Sequence, residues 1–230
     1  MATSYSPKII TDGLVLCLDA GDRKSYSGSG TTWTDRSRNG NNGTLVNGVA
    51  YNSGNGGSLV FDGSDDEVRI NNNTIARIGT GNHTITAWVN NDIVTEEDFI
   101  GTGTSNGDVL LMIYNQAGGG AGGFRGHVWS STGSSNVIDS PRAIGTGNWS
   151  MLTQRVTWGG NIDLFENGVL TATQALVGSV PTSSRTQMVI GCRSAGGGSQ
   201  HFDGKIANVS IYNRTLSSTE VLQNYNATKG

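Results

Sequence analysis

The stretch ANVSIYNRTLSSTEVLQNYN, Ala207 to Asn226, decides how this chain is finished off. Its first half is β-prone, with Val209 and Ile211 following Ile206 in an imperfect alternation. In its second half Ser217 stands three residues before Glu220, with Leu216 and Val221 flanking the pair. A serine N-cap and a glutamate at the third helical position bond each other's exposed backbone amides, and apolar residues on either side clasp the turn. The spacing predicts a final strand, Lys205–Tyr212, that completes a sheet. A short helix from Ser218 to about Tyr225 follows and covers an open sheet edge or end, since exposed edges invite association.

Upstream, period-two alternation recurs in short segments bounded by Gly, Asn, Ser or Asp, as in half-buried antiparallel strands. The clearest are Leu14–Asp19, Ser58–Asp62, Glu67–Ile70, Thr84–Asn90, Asp108–Tyr114, Phe124–Trp129, Ser150–Thr157, Asn161–Glu166, Val169–Thr173 and Met188–Cys192. Two hairpins are expected. In IDLFENGVLTAT, Asn167-Gly168 accepts positive φ at both central turn positions. In SLVFDGSDDEVRI the polar knot Asp62–Asp66 separates two apolar runs, and its aspartates can bond turn amides. Thr34 to Gly57 is too polar for a core strand and is expected as a long packed loop. The runs AGGGAGGF (Ala117–Phe124) and SAGGGSQ (Ser194–Gln200) are expected as loops.

Composition agrees. Glycine fills 35 of 230 positions and charged residues only 14%, a mix suited to many tight turns and few long helices. One domain of this length buries a sizeable core; the division expected is an N-terminal arm, residues 1–12, and a β-sandwich, residues 13–230. Fifteen Lys+Arg against 18 Asp+Glu give a net charge of −3 with no basic stripe, which disfavours nucleic acid. GLVLCL is far too short for a membrane span, and Asp12 precedes it where a signal peptide needs positive charge. The chain therefore reads as soluble and made without a secretion signal, so the seven N-x-S/T triplets are chance products of an Asn- and Thr-rich sequence. Cys17 and Cys192 read as small core residues, with a disulfide between them open if their strands are neighbours.

The runs GLVLCLDAG, TTWTDRSRNGNNGTLVNG, GGSLVFDGSDDEVRI, HTITAWV, NWSMLTQRV, NIDLFENG and IGCRS…HFDGKIANVSIYNRTLSSTEV together resemble a concanavalin A-like, laminin G-like domain across nearly the whole chain. More narrowly they are similar to such domains in structural proteins of tailed bacteriophages, where the opening SYSPKIITDGLVL is also at home. The resemblance implies an all-β jelly-roll sandwich of two antiparallel sheets. It also implies a non-enzymatic virion component (head decoration, collar or fibre subunit), assembled in a bacterial host cytoplasm, a homo-oligomer docking on other virion proteins. The rival function is a lectin-like carbohydrate-binding module for a bacterial surface glycan; a laminarinase-like hydrolase is third. Arg36, Arg38 and Cys17 depart from the family pattern, which has an apolar residue, Gly and an aromatic there.

Retaining glycoside hydrolysis needs two carboxyls facing one cleft. The chain has no E-x-D-x-E string, and Glu96–Asp98 and the pair Asp163 and Glu166 have the wrong alternation, so they read as solvated turn or edge charges. His83, His127 and His201 are scattered, and no glycine run has the lysine of a phosphate loop. No cofactor is expected beyond a structural Ca²⁺, which relatives often carry. Asp19, Asp62 and Asp203, each beside a glycine turn, are its candidate ligands or else turn caps. For glycans the best-placed side chains are His127, Trp129 and Trp158, since aromatic faces stack on sugar rings. Trp88 and Trp149 resemble core positions of the family, and Trp33 anchors the long loop. The arm residues Tyr5, Pro7 and Lys8 are the candidate contacts to a neighbouring protein.

Overall fold

The computed structural model describes residues 8–93, 96–103, 108–114, 123–131, 133–194 and 200–230. In chain order the strands are β1 (Leu14–Asp19), β2 (Thr32–Trp33), β3 (Gly43–Val46), β4 (Ala50–Asn52), β5 (Ser58–Asp62) and β6 (Glu67–Ile70). After the short helix α1 (Asn73–Ala76) come β7 (His83–Asn91), β8 (Glu97–Gly101), β9 (Val109–Tyr114), β10 (Gly123–Trp129) and β11 (Ser135–Ala143). The chain ends with β12 (Ser150–Val156), β13 (Asn161–Glu166), β14 (Val169–Ala175), β15 (Met188–Ile190), β16 (Asp203–Tyr212) and α2 (Ser218–Thr228).

These strands make two antiparallel sheets. The first has the order β14-β13-β12-β7-β16-β5-β4, with β1 also paired to β16; the second runs β11-β10-β9-β8-β15-β6-β3-β2. Alternation sorts the side chains: Leu16 and Leu18 of β1, Ile85, Ala87 and Val89 of β7, and Phe124 and Val128 of β10 enter one core. Phe99 joins the layers, its ring 6.1 Å from both Phe124 and Phe202. Each of the Leu, Ile, Val and Phe side chains contributes roughly 1.5–3 kcal/mol on burial. The expected jelly-roll sandwich is the observed fold.

Asn167 (φ 53°) and Gly168 (φ 80°) turn β13 into β14 as expected. The second expected hairpin is not one. β5 pairs with β16 and β4, whereas β6 pairs with β3 and β15, so the Asp62–Asp66 knot carries the chain from one sheet to the other. The aspartates hold that step: Asp62 Oδ1 accepts from Ser64 N at 2.9 Å and Asp66 Oδ2 from Asp62 N at 3.2 Å.

The segment 34–57 is also more ordered than a packed loop, since it contains β3 and β4. Buried Asp35 is its anchor, accepting from the amides of Cys17 (2.9 Å), Ser37 (2.8 Å) and Asn41 (3.0 Å). Gly43 is obligatory for close packing, because a Cβ there would stand 2.6 Å from Val68 Cγ1. The strands β8 and β11 likewise lie outside the sequence expectations.

α2 starts on the expected capping box, with both Ser217–Glu220 bonds present. It covers a sheet face rather than an edge. Val221 and Leu216 pack with Met151, Phe165 and Tyr212 on the outer side of the first sheet. The chain before β1 is tied to the same helix: Ile10 N donates to Asn224 Oδ1 at 2.8 Å and Gln223 Nε2 donates to the Lys8 carbonyl at 2.8 Å. Cys17 and Cys192 are both free and buried, the first on β1 and the second just beyond β15 in the other sheet. Burial pushes their thiols up to about 11 and about 12.

Candidate functional site

Register across the first sheet builds one row of side chains on its outer face. Asp19 of β1 is opposite Asn208 of β16, Asn208 is opposite Trp88 of β7, and Trp88 is opposite Met151 of β12. Such cross-strand neighbours share a face with Cβ atoms ~4.5–5.5 Å apart. Above Asp19, Asn208 and Trp88 opens a cleft of about 770 Å³, a size typical of small-ligand sites. The last turn of α2 with residues 227–230 forms one wall, Gly21, Asp22 and Asn55–Gly57 form another, and Trp149 stands at the entry to β12.

Each wall has a local cause. Gly21 and Gly57 allow the 20–22 and 55–57 backbones to touch, since a Cβ on Gly21 would lie 2.3 Å from the Gly56 carbonyl oxygen. Asp19 Oδ1 accepts from Gly21 N at 2.9 Å, and Asp22 is held by Arg36 at 3.0 Å. Trp88 donates its indole N–H to Thr228 Oγ1 at 2.7 Å and stacks on Tyr225 at 5.7 Å between centroids. The half-buried Trp149 keeps its indole N–H without a protein acceptor, although the atom is shielded from solvent. The cleft thus offers indole surface, amides that donate and accept, and carboxylates that accept. That set suits a hydroxyl-rich ligand. Trp88 and Trp149 are half-buried: Trp88 packs on the outer cluster of Met151, Phe165 and Tyr212, and both also line the cleft. The inward positions Ile85, Ala87 and Val89 already imply an outward Trp88 by parity.

Trp33, by contrast, is fully buried in the core on β2.

The side chains expected to bind glycans are divided. His127 and Trp129 lie on β10 and face outward from the second sheet, their rings stacked with centroids 3.5 Å apart. His127 also hydrogen-bonds Ser135 Oγ, and beside it Arg125 pairs with Asp139 at 2.6 Å. Burial, with the charges of Arg125 and Arg193, pushes the His127 imidazole down to about 4. Trp158 is not part of this group: it follows β12 in the other sheet, packs on the core and gives its N–H to the Gly79 carbonyl at 3.1 Å.

The acids weighed for hydrolysis are not the solvated charges their spacing suggests, apart from exposed Glu96. Glu97 is buried and accepts from Asp203 N at 3.1 Å. Asp98 is buried against Arg193 at 2.7 Å. Asp163 pairs with Arg155 (3.0 Å) and Thr173 (2.6 Å) on the helix-covered face of the first sheet. Glu166 points through the opposite face to Ser140 of β11. Two carboxyls on opposite faces share no cleft.

The three candidate calcium ligands do not converge either. Asp62 and Asp203 are cross-strand neighbours, but Asp19 pairs five residues further along β16 at Asn208, roughly 16 Å away at ~3.3 Å per residue. The carboxylates that gather with Asp62 are Asp65 and Asp66, within 4.8 Å of one another. Burial, then the charge of Asp62, raises the Asp66 carboxyl. This all-oxygen set fits a hard cation such as Ca²⁺. Of the expected docking residues, Tyr5 and Pro7 lie outside the described residues, and the Lys8 carbonyl is bonded to α2.

Residues 62–222 match the family model described as concanavalin A-like lectin/glucanases superfamily. No curated protein sequence matches the chain significantly. Among solved structures, it is similar to domain 4 of AbnA, a GH43 extracellular arabinanase from Geobacillus stearothermophilus, in complex with arabinotriose. The TM-score is 0.65 at 20% identity, over 96% of this chain and 100% of that one. It is similar to the binding domain of Paraclostridial Mosquitocidal Protein 1 (TM-score 0.72, 16% identity, 94% and 52% covered). It is also similar to the ligand binding domain of botulinum neurotoxin serotype D in complex with N-acetylneuraminic acid (0.69, 17%, 94% and 51%). The chain spans about half the length of these two toxin domains. At such identities the likeness is one of fold.

Proposed function

This chain belongs to the concanavalin A-like lectin/glucanases superfamily, and from that premise we propose that it is a non-catalytic glycan-binding domain whose ligand lies in the cleft over β1, β16 and β7. One observation carries the reading: a cleft of about 770 Å³ on the outer face of the first sheet is lined by two tryptophans beside Asn208 and Asp19. A sugar ring presents a C–H face to an indole and hydroxyls to amide and carboxylate groups, so this set binds it without chemistry. Solved neighbours captured with arabinotriose and with N-acetylneuraminic acid support the class of ligand. The buried, ion-paired acids support the absence of hydrolysis.

The test is titration of immobilised oligosaccharides, arabinan fragments and sialylated glycans included, with the unmodified protein, Trp149→Ala and Asn208→Ala. Binding that both substitutions leave intact would remove the cleft as the site, and product release from a glycan would remove the non-catalytic reading.

The virion setting is a second reading, supported by the sequence resemblance to structural proteins of tailed phages. In it the chain is a head decoration, collar or fibre subunit, the 1–12 segment is its docking arm, and the glycan is a host surface sugar. Deleting residues 1–8 should weaken co-sedimentation with particles lacking the protein while leaving its melt unchanged. Attachment at full strength would exclude the arm.

A further inference from the structure

An asparagine followed by glycine can modify itself, because no side chain keeps the glycine nitrogen from the asparagine Cγ. The described residues hold five such pairs: Asn39-Gly40, Asn42-Gly43, Asn47-Gly48, Asn55-Gly56 and Asn167-Gly168. Their side chains are not equally free. Asn39 Nδ2 donates to Ser37 Oγ at 2.9 Å and to the Leu14 carbonyl at 3.2 Å, and Asn47 Nδ2 donates to the Asp65 carbonyl at 2.8 Å. Asn42 Oδ1 accepts from Asp35 N and Asn167 Oδ1 from Met151 N, both at 2.9 Å. Asn55 is exposed, and its side chain makes no hydrogen bond among the described residues. The backbone does not set it apart, since Asn47, Asn55 and Asn167 share positive φ values of 68°, 51° and 53°.

Gly56 is equally open. It lies in the turn from β4 to β5, where the backbone bond runs from Gly57 N to the Gly54 carbonyl at 3.0 Å and leaves the Gly56 N–H outside it. A Cβ on Gly56 would meet no atom within 4 Å, whereas one on Gly43 would stand 2.6 Å from Val68 Cγ1 and one on Gly168 3.0 Å from Leu222 Cδ1. Base and water therefore reach the Asn55-Gly56 bond.

We propose that Asn55 is a self-modification site: in the folded chain it converts to isoaspartate ahead of the other four asparagines, and the product reshapes one wall of the cleft. The Gly56 amide loses its proton to base and its nitrogen bonds to Asn55 Cγ. The Cγ–Nδ2 bond breaks, and the side-chain nitrogen leaves as ammonia with a proton returned from water. Water then opens the succinimide so formed. Opening at the Asn55 main-chain carbonyl leaves isoaspartate, whose main chain runs through Cβ and Cγ and whose former backbone carbonyl is a carboxylate. No oxidant or reductant takes part. Asn55 lines the cleft, so the new carboxylate joins those of Asp19 and Asp22. The wall has no slack for the added main-chain atom, since a Cβ on Gly21 would already lie 2.3 Å from the Gly56 carbonyl oxygen. None of this depends on what the cleft binds.

The full chain, folded and in denaturant, is incubated in mildly alkaline buffer. Peptide mass spectrometry, with fragmentation that locates each site and separates isoaspartate from aspartate, follows the five pairs. In the folded chain Asn55 should convert ~twofold to tenfold faster than each of the others, the rate equivalent of one net hydrogen bond. In denaturant the five rates should draw together. Earlier or equal conversion at any of the other four in the folded chain would overturn the proposal, as would an Asn55 that stays intact there while the denatured chain loses it. The effect on the wall is read by hydrogen exchange of the 19–23 amides in the isolated isoaspartate form and in Asn55→Asp, which has the charge without the added atom. Faster exchange in the isoaspartate form alone is expected, and equal exchange in the two would overturn the reshaping.

Discussion

Asp98 is fully buried and its carboxylate meets the Arg193 guanidinium at 2.7 Å, yet its other oxygen, Oδ1, has no hydrogen-bond partner. Burial outweighs the ion pair and pushes the carboxyl up to about 7. An acid raised on folding holds its proton in the folded state over a range where the unfolded chain has lost it, so stability should fall from about pH 4 to about pH 7. The slope from this one group is at most ~1.4 kcal/mol per pH unit. Asp98→Asn should remove that decline in thermal melts; an unaltered pH profile would show that Asp98 is already ionised in the folded protein.

Glu220 should behave in the opposite sense. Arg214 and the Ser217 amide hold its carboxyl down to about 2, so its contribution is present above the usual carboxylate range and lost as pH falls towards 2. The pair is half-buried at the surface and adds only ~0–1 kcal/mol, with a comparable part from the cap. Glu220→Gln should therefore lower the melting temperature slightly at pH 7, and the difference from the unmodified protein should vanish in strong acid.

Gly126 on β10 faces the core, where an added Cβ would lie 2.5 Å from Gln154 Oε1 and 2.8 Å from Leu164 Cδ2. Gln154 is not free to withdraw, since that oxygen accepts from the His127 amide at 3.1 Å. Gly126→Ala should cost ~1–3 kcal/mol as overpacking. A denaturant midpoint unchanged by the substitution would mean that the two sheets are less tightly joined at this point.

The Asp62, Asp65 and Asp66 group should raise the melting temperature when calcium is added, because a ligand that binds only the folded state adds RT ln(1 + [L]/Kd), ~2.7 kcal/mol at a hundredfold excess over Kd. Asp65→Asn should abolish the rise. A melt indifferent to calcium and to chelator leaves these acids as a structural turn.

Local signals made much of this fold legible. The Ser217–Glu220 cap and the Asn167-Gly168 turn each act within a few residues, and both were readable in the sequence. Among the strands that were not, β3 and β8 depend on β6 and β15, distant in the chain, and β11 on polar contacts across the sandwich. Asn136 and Ser140 on β11 face inward as polar groups only because Val177 and Glu166 wait for them across the sandwich. The knot Asp62–Asp66 read as a hairpin because a turn's chemistry is local, whereas the sheet its next strand joins is not. The cleft was half legible. Parity along HTITAWVN turns Trp88 outward, but its union with Asn208 and Asp19 is a matter of register between strands far apart in the chain.

That register has a consequence for how the chain acquires its structure. β16 is flanked by β7 along one side and by β5 and β1 along the other. A nascent chain that has emerged as far as residue 200 therefore holds every other strand of the first sheet but lacks the one that joins its two halves. Loop closure over nearly the whole chain must precede the β1–β16 ladder, which makes the topology one of high contact order and slow folding. Production should accordingly be all-or-none in length: fragments ending before Asp203 expose unpaired edges of β7, β5 and β1 at once, and are the species that chaperones or proteases would meet.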